Sequence, residues 1–271
     1  MPRPLRARAA ASTRNTLPDS GKDARMRHAL PLLLCTALLG GCAGGPKDIA
    51  GTWINQPAID AAADSGKLRE ALLAYGPNLE WRFAPQRHTA WSSNGVDVGE
   101  GHLASAGEAQ WQVTFHRDFQ ERFALDGDEL VQQPSASAPE QRFVAVDADT
   151  AAASEVLPGQ TFEQRLYAAL LGGDWEIREG TGREGLVRFH PDGRVEGLPE
   201  VERYALCLAG DCAERSAEHE ILWLQNGQQG REWLFQLAGD ELSIYQADNQ
   251  ALHTDIPQYR PGPRAWLLER D

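Results

Sequence analysis

From residue 186 onward the apolar positions fall at every second residue in short bursts: Val187 and Phe189; Tyr204, Leu206 and Leu208; Ile221 and Trp223; Trp233, Phe235 and Leu237; Leu242 and Ile244; Trp266 and Leu268. Polar or turn residues separate the bursts. A period of two predicts strands with one apolar face, and bursts at this spacing predict an antiparallel meander curling into a small barrel. An earlier stretch reads the same way through Trp81 and Phe83, Trp91, Trp111, Val113 and Phe115, Phe123 and Leu125, and Phe143. Helical spacing occurs twice. Pro57 to Tyr75 stops at Gly76-Pro77 and is bent or broken at Gly66; Gln160 to Leu171 places Phe162, Leu166 and Leu170 on one face.

The two alternating stretches match each other. Phe123-Ala-Leu-Asp-Gly-Asp-Glu-Leu130 agrees with Phe235-Gln-Leu-Ala-Gly-Asp-Glu-Leu242 at six of eight positions. Arg82-Phe83-Ala-Pro85 pairs with Arg188-Phe189-His-Pro191, and Gly51-Thr-Trp53 with Gly173-Asp-Trp175, in the same order. The first copy carries 16 extra residues after its Trp, the predicted helical insertion, and the second carries six around a cysteine pair. The expected fold is therefore mainly β: two tandem antiparallel meander barrels, with a short helix inserted in the first, where it could cover one barrel end, and another helix between them. Each copy is expected to close its own core. The Ala-, Asp- and Ser-rich run from Asp147 to Gly159 is the expected linker.

Met26-Arg27-His28 followed by the apolar Ala29 to Leu39 and then Gly40-Gly41-Cys42 reads as an export signal, too short to span a bilayer. A buried apolar helix is the alternative, but a core helix should show polar residues at a 3.6 period. Leu39-Gly40-Gly41-Cys42 resembles the lipobox of bacterial lipoproteins at every position. The resemblance implies cleavage before Cys42, acylation of Cys42, and, since Ala43 rather than Asp follows, the periplasmic side of the outer membrane. Residues 1–25 are basic and without an apolar run, and are read as an upstream extension. The expected organisation is a signal with that extension over 1–41, an anchor and tether over 42–48, a first barrel-like domain over 49–147, a linker over 148–160 and a second barrel-like domain over 161–271.

With Cys35 in the signal and Cys42 acylated, Cys207 and Cys212 remain for an oxidising compartment, flanking Gly210-Asp211. A disulfide across a β-hairpin is expected. A zinc site would need two more ligands, and the nearest His is His219, between Glu218 and Glu220 on what reads as a solvated strand edge.

A Gly-x-Trp opening a small antiparallel barrel resembles the lipocalin-type calycins. There the Trp closes the barrel end against an Arg beside the last strand, so the resemblance implies pairs Trp53 with Arg142 and Trp175 with Arg264, although the Thr-Asp-aromatic motif is absent. Gly173-Asp-Trp175 with Phe189-His-Pro-Asp-Gly-Arg-Val-Glu-Gly197 is similar to the META-type domain of envelope lipoproteins, departing from it at Leu198-Pro199-Glu200. That likeness bears on architecture and implies no activity.

Charge narrows the function. The chain carries −13 overall, and beyond residue 41 its 19 basic and 37 acidic groups leave −18, which argues against a nucleic-acid partner. Seven scattered His form no metal-binding spacing. Asp126-Gly-Asp128-Glu129 lacks the distal ligand of an EF-hand and reads as a hairpin turn. Ser105 near His102 or His116 is a coincidence of composition. No catalytic residue, metal or cofactor is expected, and eight Trp at alternate positions are expected to fill the barrels rather than line cavities. The reading is a lipid-anchored binding or envelope-maintenance module, partnered by the membrane through Cys42 and by an envelope protein or a small apolar ligand. The alternatives are an inhibitor of a basic wall-degrading enzyme and an unrecognised hydrolase.

Overall fold

The computed structural model describes residues 48–116, 119–146, 156–208, 212–216, 219–252 and 255–270. The lipobox, Cys42 and most of the expected linker lie outside them. The first eight strands are β1 (Gly51–Ile54), β2 (Glu80–Ala84), β3 (Thr89–Ser93), β4 (Val98–Gly107), β5 (Gln110–Thr114), β6 (Gln120–Asp126), β7 (Glu129–Gln132) and β8 (Gln141–Ala145). They form an antiparallel meander closed by β1 against β8. The second eight are β9 (Gly173–Gly180), β10 (Leu186–Phe189), β11 (Val195–Glu196), β12 (Arg203–Leu206), β13 (Glu220–Asn226), β14 (Gln229–Ala238), β15 (Glu241–Asn249) and β16 (Tyr259–Arg270). Here too the first strand pairs with the last. The sheet is interrupted between β11 and β12, where a single Arg194–Arg203 bridge spans the seam.

The matched sequences fold to the same register. Gly51 faces Phe83 and Thr52 faces Arg82; Gly173 faces Phe189 and Asp174 faces Arg188. Leu125 faces Leu130 and Leu237 faces Leu242 across hairpins whose turns hold Gly127 and Gly239 at φ 67° and 61°. Each opening Trp donates its indole N–H to the carbonyl four residues earlier, Trp53 to Ile49 at 2.8 Å and Trp175 to Leu171 at 2.9 Å. Gly51 and Gly173 have φ of 114° and 113°. A side chain at either would meet nothing within 4 Å, so it is the backbone conformation, not space, that calls for glycine.

The insertion in the first copy is two helices, α1 (Gln56–Ser65) and α2 (Leu68–Tyr75), broken at Gly66 in the left-handed region. A Cβ at Gly66 would lie 2.5 Å from the Leu237 carbonyl oxygen, so the break is also where the chain presses on β14. The linking helix α3 (Gln160–Leu170) buries Phe162, Leu166, Tyr167 and Leu170. Its Tyr167 hydroxyl accepts the Leu206 N–H at the edge of β12, beside the seam. A short α4 (Cys212–Ser216) follows the cysteine arm.

No strand is shared between the sheets, but their cores are not equally self-contained. Barrel one encloses its own cluster around Trp53, Trp81, Phe123 and Phe143. The second cluster is continuous from Ile59 and Leu68 of the insertion through α3 to Trp175, Phe235 and Leu268. The insertion thus completes the core of the second barrel.

Two strand faces differ from the alternation read in the sequence. Trp91 lies outside barrel one, its indole donating to Glu100 at 3.2 Å, while Ala90 is fully buried. On β13, Leu222 and Leu224 join the core, Ile221 is buried in a separate outer cluster, and Trp223 is 40% exposed. This stretch is covered on both faces, so alternation could not tell inside from outside.

Candidate functional site

The barrel interiors are occupied. In the first, Trp81 packs edge-on against Phe123 with centroids 4.7 Å apart, and Phe83 meets Phe123 at 5.3 Å. In the second, Phe189 meets Tyr204 at 5.2 Å and Trp233 meets Trp266 at 5.1 Å. One end of barrel one holds a satisfied polar network. Gln132 accepts from the Trp81 indole and donates to the buried Glu121, which also accepts from Ser135 and Ser137. Every contact there is spent on structure.

The implied Trp–Arg pairs take a different form. Arg142 points away from Phe143, its inward neighbour on β8, and lies among Asp126, Glu129 and Glu140. Arg264 pairs with Glu179. The guanidinium over Trp175, 4.5 Å from the ring centroid, belongs to Arg270, which also donates to the Leu170 carbonyl at 2.9 Å. The reason is register: Arg270 stands directly opposite Trp175. The residue opposite Trp53 is Ala145, so the register sets no Arg across from that ring.

Cys207 and Cys212 form a disulfide with Cα atoms 6.0 Å apart, but it ties the residue after β12 to the first residue of α4 rather than spanning a β-hairpin. It fastens α4 over the outer face of β13 and β14, where it packs with Ile221, Leu234, Tyr245 and Tyr259. Arg215 on α4 pairs with Glu232, which also accepts from Tyr259. His219 packs edge-on against Tyr245. Among the described residues no three His, Cys, Asp or Glu side chains are placed to hold a metal ion. Asp126 and Glu129 flank the expected hairpin turn.

Two carboxylates fasten the helices. Glu80 on β2, with its side chain fully buried, accepts the Phe162 N–H in the first turn of α3 at 2.9 Å and pairs with Arg82 at 3.2 Å. Arg82 in turn donates to the Val156 carbonyl at 2.6 Å. Glu220 on β13 accepts the Arg69 N–H in the first turn of α2, at 3.1 and 3.3 Å. Far from being a solvated edge residue, Glu220 is desolvated enough that its carboxyl is pushed above the usual glutamate range, against the lowering effect of Arg69. Both carboxylates satisfy donors that a helix start leaves without partners. They act crosswise: the first barrel holds α3 and the second holds α2.

These fastenings frame a cleft of about 450 Å³. One wall is α2 with Leu72 and Leu73; the others come from the β3–β4 turn with Val96 and Asp97, and from the cysteine arm with Leu208. The far end of α2 is pinned as firmly as its start. Its last carbonyl, on Tyr75, accepts from Asn55 at 3.0 Å and from Gln141 at 2.9 Å. Leu73 and Val96 are 67% and 65% exposed on the cleft. The disulfide forms part of the opposite side, so the cysteine pair shapes a surface as well as bracing a turn. Pattern reading missed the cleft because one of its walls, the cysteine arm, lies more than 100 residues along the chain from the other two.

No protein-family model, curated protein or solved structure matches the chain.

Proposed function

We propose that the chain is a binding module held on the periplasmic side of the outer membrane by lipid on Cys42, and that it meets a protein partner with its outer surface. The observation that supports this reading is the filling of both barrels by aromatic rings. A carrier of the calyx type needs an interior cavity for its ligand; in barrel one a ligand would first have to displace Trp81 and Phe123, and in barrel two Trp233 and Trp266 close the core beneath a cleft of about 450 Å³ with a largely polar lining. The net −18 beyond residue 41 favours a basic partner, since opposite charge speeds encounter and disfavours wrong partners. A wall-degrading enzyme of high positive charge fits that description.

Two measurements test it. Membrane fractionation should find the wild-type chain with the outer membrane and the Cys42→Ser chain free in the periplasm. The complete chain carrying Cys42→Ser should bind a purified basic wall-lytic enzyme and lower its activity, with affinity falling as salt is raised above roughly 0.15 M. Equal partitioning of the two chains would remove the anchor; no complex even at low salt would remove the inhibitor.

A further inference from the structure

The cleft beside α2 combines a mostly apolar lining with one cation, Arg69, that feels the Glu220 charge but closes no salt bridge. Arg69 spends its backbone N–H on Glu220, but its guanidinium makes no ion pair among the described residues, and its buried Nη1 has no hydrogen-bond partner. We propose that this cleft binds a small amphiphile with a carboxylate head, of the fatty-acid type, with its apolar chain along Leu72, Leu79 and Leu208 and its carboxylate on the Arg69 guanidinium.

Three features support that occupant. First, the guanidinium is only partly buried and closes no salt bridge, and a carboxylate matches its fork better than any other anion of single charge. Second, the charges facing the cleft select a monoanion. Asp97 stands on the β3–β4 turn and Glu220 lies behind Arg69, while Glu70 is already engaged by Lys67 at 3.0 Å. A dianionic phosphate would meet this negative charge with a single cation to offset it, and a cationic head would meet Arg69. Third, the volume of about 450 Å³ lies within the usual span for small-molecule sites, roughly 300 to 1,000 Å³. Because α2 is held at both ends, the wall is formed before the ligand arrives, which lowers the ordering cost of binding. The site lies outside both barrels and rests on the cleft alone, independent of the protein partner proposed above.

Calorimetric titration of the complete chain carrying Cys42→Ser, without detergent, tests the proposal. The probes are dodecanoate, dodecanol and dodecyltrimethylammonium, each below its micelle-forming concentration. Dodecanoate should bind with one-to-one stoichiometry, about tenfold more tightly than dodecanol, as expected for one charged hydrogen-bonded contact. The trimethylammonium probe should bind more weakly than either. Arg69→Gln should abolish the preference for carboxylate over alcohol; the backbone N–H that meets Glu220 is retained in this variant. Leu73→Glu, at an exposed position, should weaken dodecanoate more than dodecanol and provides a second test should Arg69→Gln fail to fold. No binding of dodecanoate, equal affinity for the acid and the alcohol, or a preference that survives both substitutions would overturn the proposal. Failure to find a protein partner would leave it standing.

Discussion

Removing the Glu80 carboxylate should loosen the attachment of α3 to the first barrel. In Glu80→Ala the Phe162 N–H loses its acceptor at 2.9 Å, and Arg82, whose side chain is only 24% exposed, loses its partner at 3.2 Å. A lost cap costs about 1 kcal/mol, and breaking a buried ion pair from one side costs about 3 to 5. One carboxylate serves both contacts, so the two do not add in full. Partial exposure of Arg82 and its remaining bond to the Val156 carbonyl place the total near the lower end, about 3 kcal/mol. Glu80→Gln keeps an oxygen for Phe162 and gives up only the charge, so its cost should be about 1 to 2 kcal/mol. Urea denaturation followed by tryptophan fluorescence and by circular dichroism separates the cases. For a chain of this size Glu80→Ala should also lower the melting temperature by roughly 6 to 12 °C. An unchanged midpoint in Glu80→Ala would refute the inference that this buried carboxylate fastens the helix. Equal losses in Ala and Gln would show that charge, and not the cap, is what matters.

Three further outcomes follow from the same packing. Burial, reinforced by neighbouring Glu80, raises the Glu163 carboxyl above its usual value near 4.5, and burial likewise raises Glu220; each binds its proton more tightly folded than unfolded, so their contribution is full below that value and is lost as pH rises through the raised values. The Glu163→Gln/Glu220→Gln chain should show a shallower fall in stability from pH 4 to 7, and an unchanged profile would count against it. Replacing Cys207 and Cys212 by Ser should cost about 2 kcal/mol for so short a loop and increase amide exchange in β13 next to α4; exchange unchanged there would mean that the arm does not brace the strand. Arg270→Ala should lower stability by about 1 to 2 kcal/mol through the lost ring contact and carbonyl bond, while Arg264→Ala should leave the melting temperature where it was. The reverse ranking would contradict the register that sets Arg270 opposite Trp175.

What the sequence made legible was periodic or local. The eight-residue hairpin match, the Gly66 break, the Gly76 stop and the face of α3 are each decided within one or two turns of chain, and each appears where expected. The disulfide was readable for the same reason, since only five positions separate its cysteines. Errors arose where parity was the sole guide. Alternation puts Trp91 and Trp223 inward, yet Ala90 and Leu222 take the inner positions. In place of a neighbouring side chain, Trp223 has Gly230: its ring occupies the space that a Cβ at 230 would need, 2.5 Å away. A glycine beside an outward aromatic on the facing strand was the available sign of this arrangement.

The helix-fastening carboxylates were beyond reach for a different reason. Glu80 acts on a helix 82 residues away and Glu220 on one 151 residues away, and no period links such pairs. Their setting still offered a hint. Glu80 sits between Leu79 and Trp81, and Glu220 immediately before Ile221 and Leu222, so each is a charge at the edge of an apolar run. Leaving a carboxylate there costs desolvation unless donors meet it, and in a chain with few helices the unpaired N–H groups at helix starts are the most concentrated supply. The same reasoning applied to the opposite sign leads to Arg69. A guanidinium in the first turn of α2 gains nothing from the helix dipole, and among the described residues no carboxylate comes close enough to close a salt bridge with it, although it feels the charge of Glu220. Glu80 and Glu220 have found their donors within the chain; Arg69 has not found its acceptor, and the apolar cleft beside it is where an acceptor from outside the chain can enter.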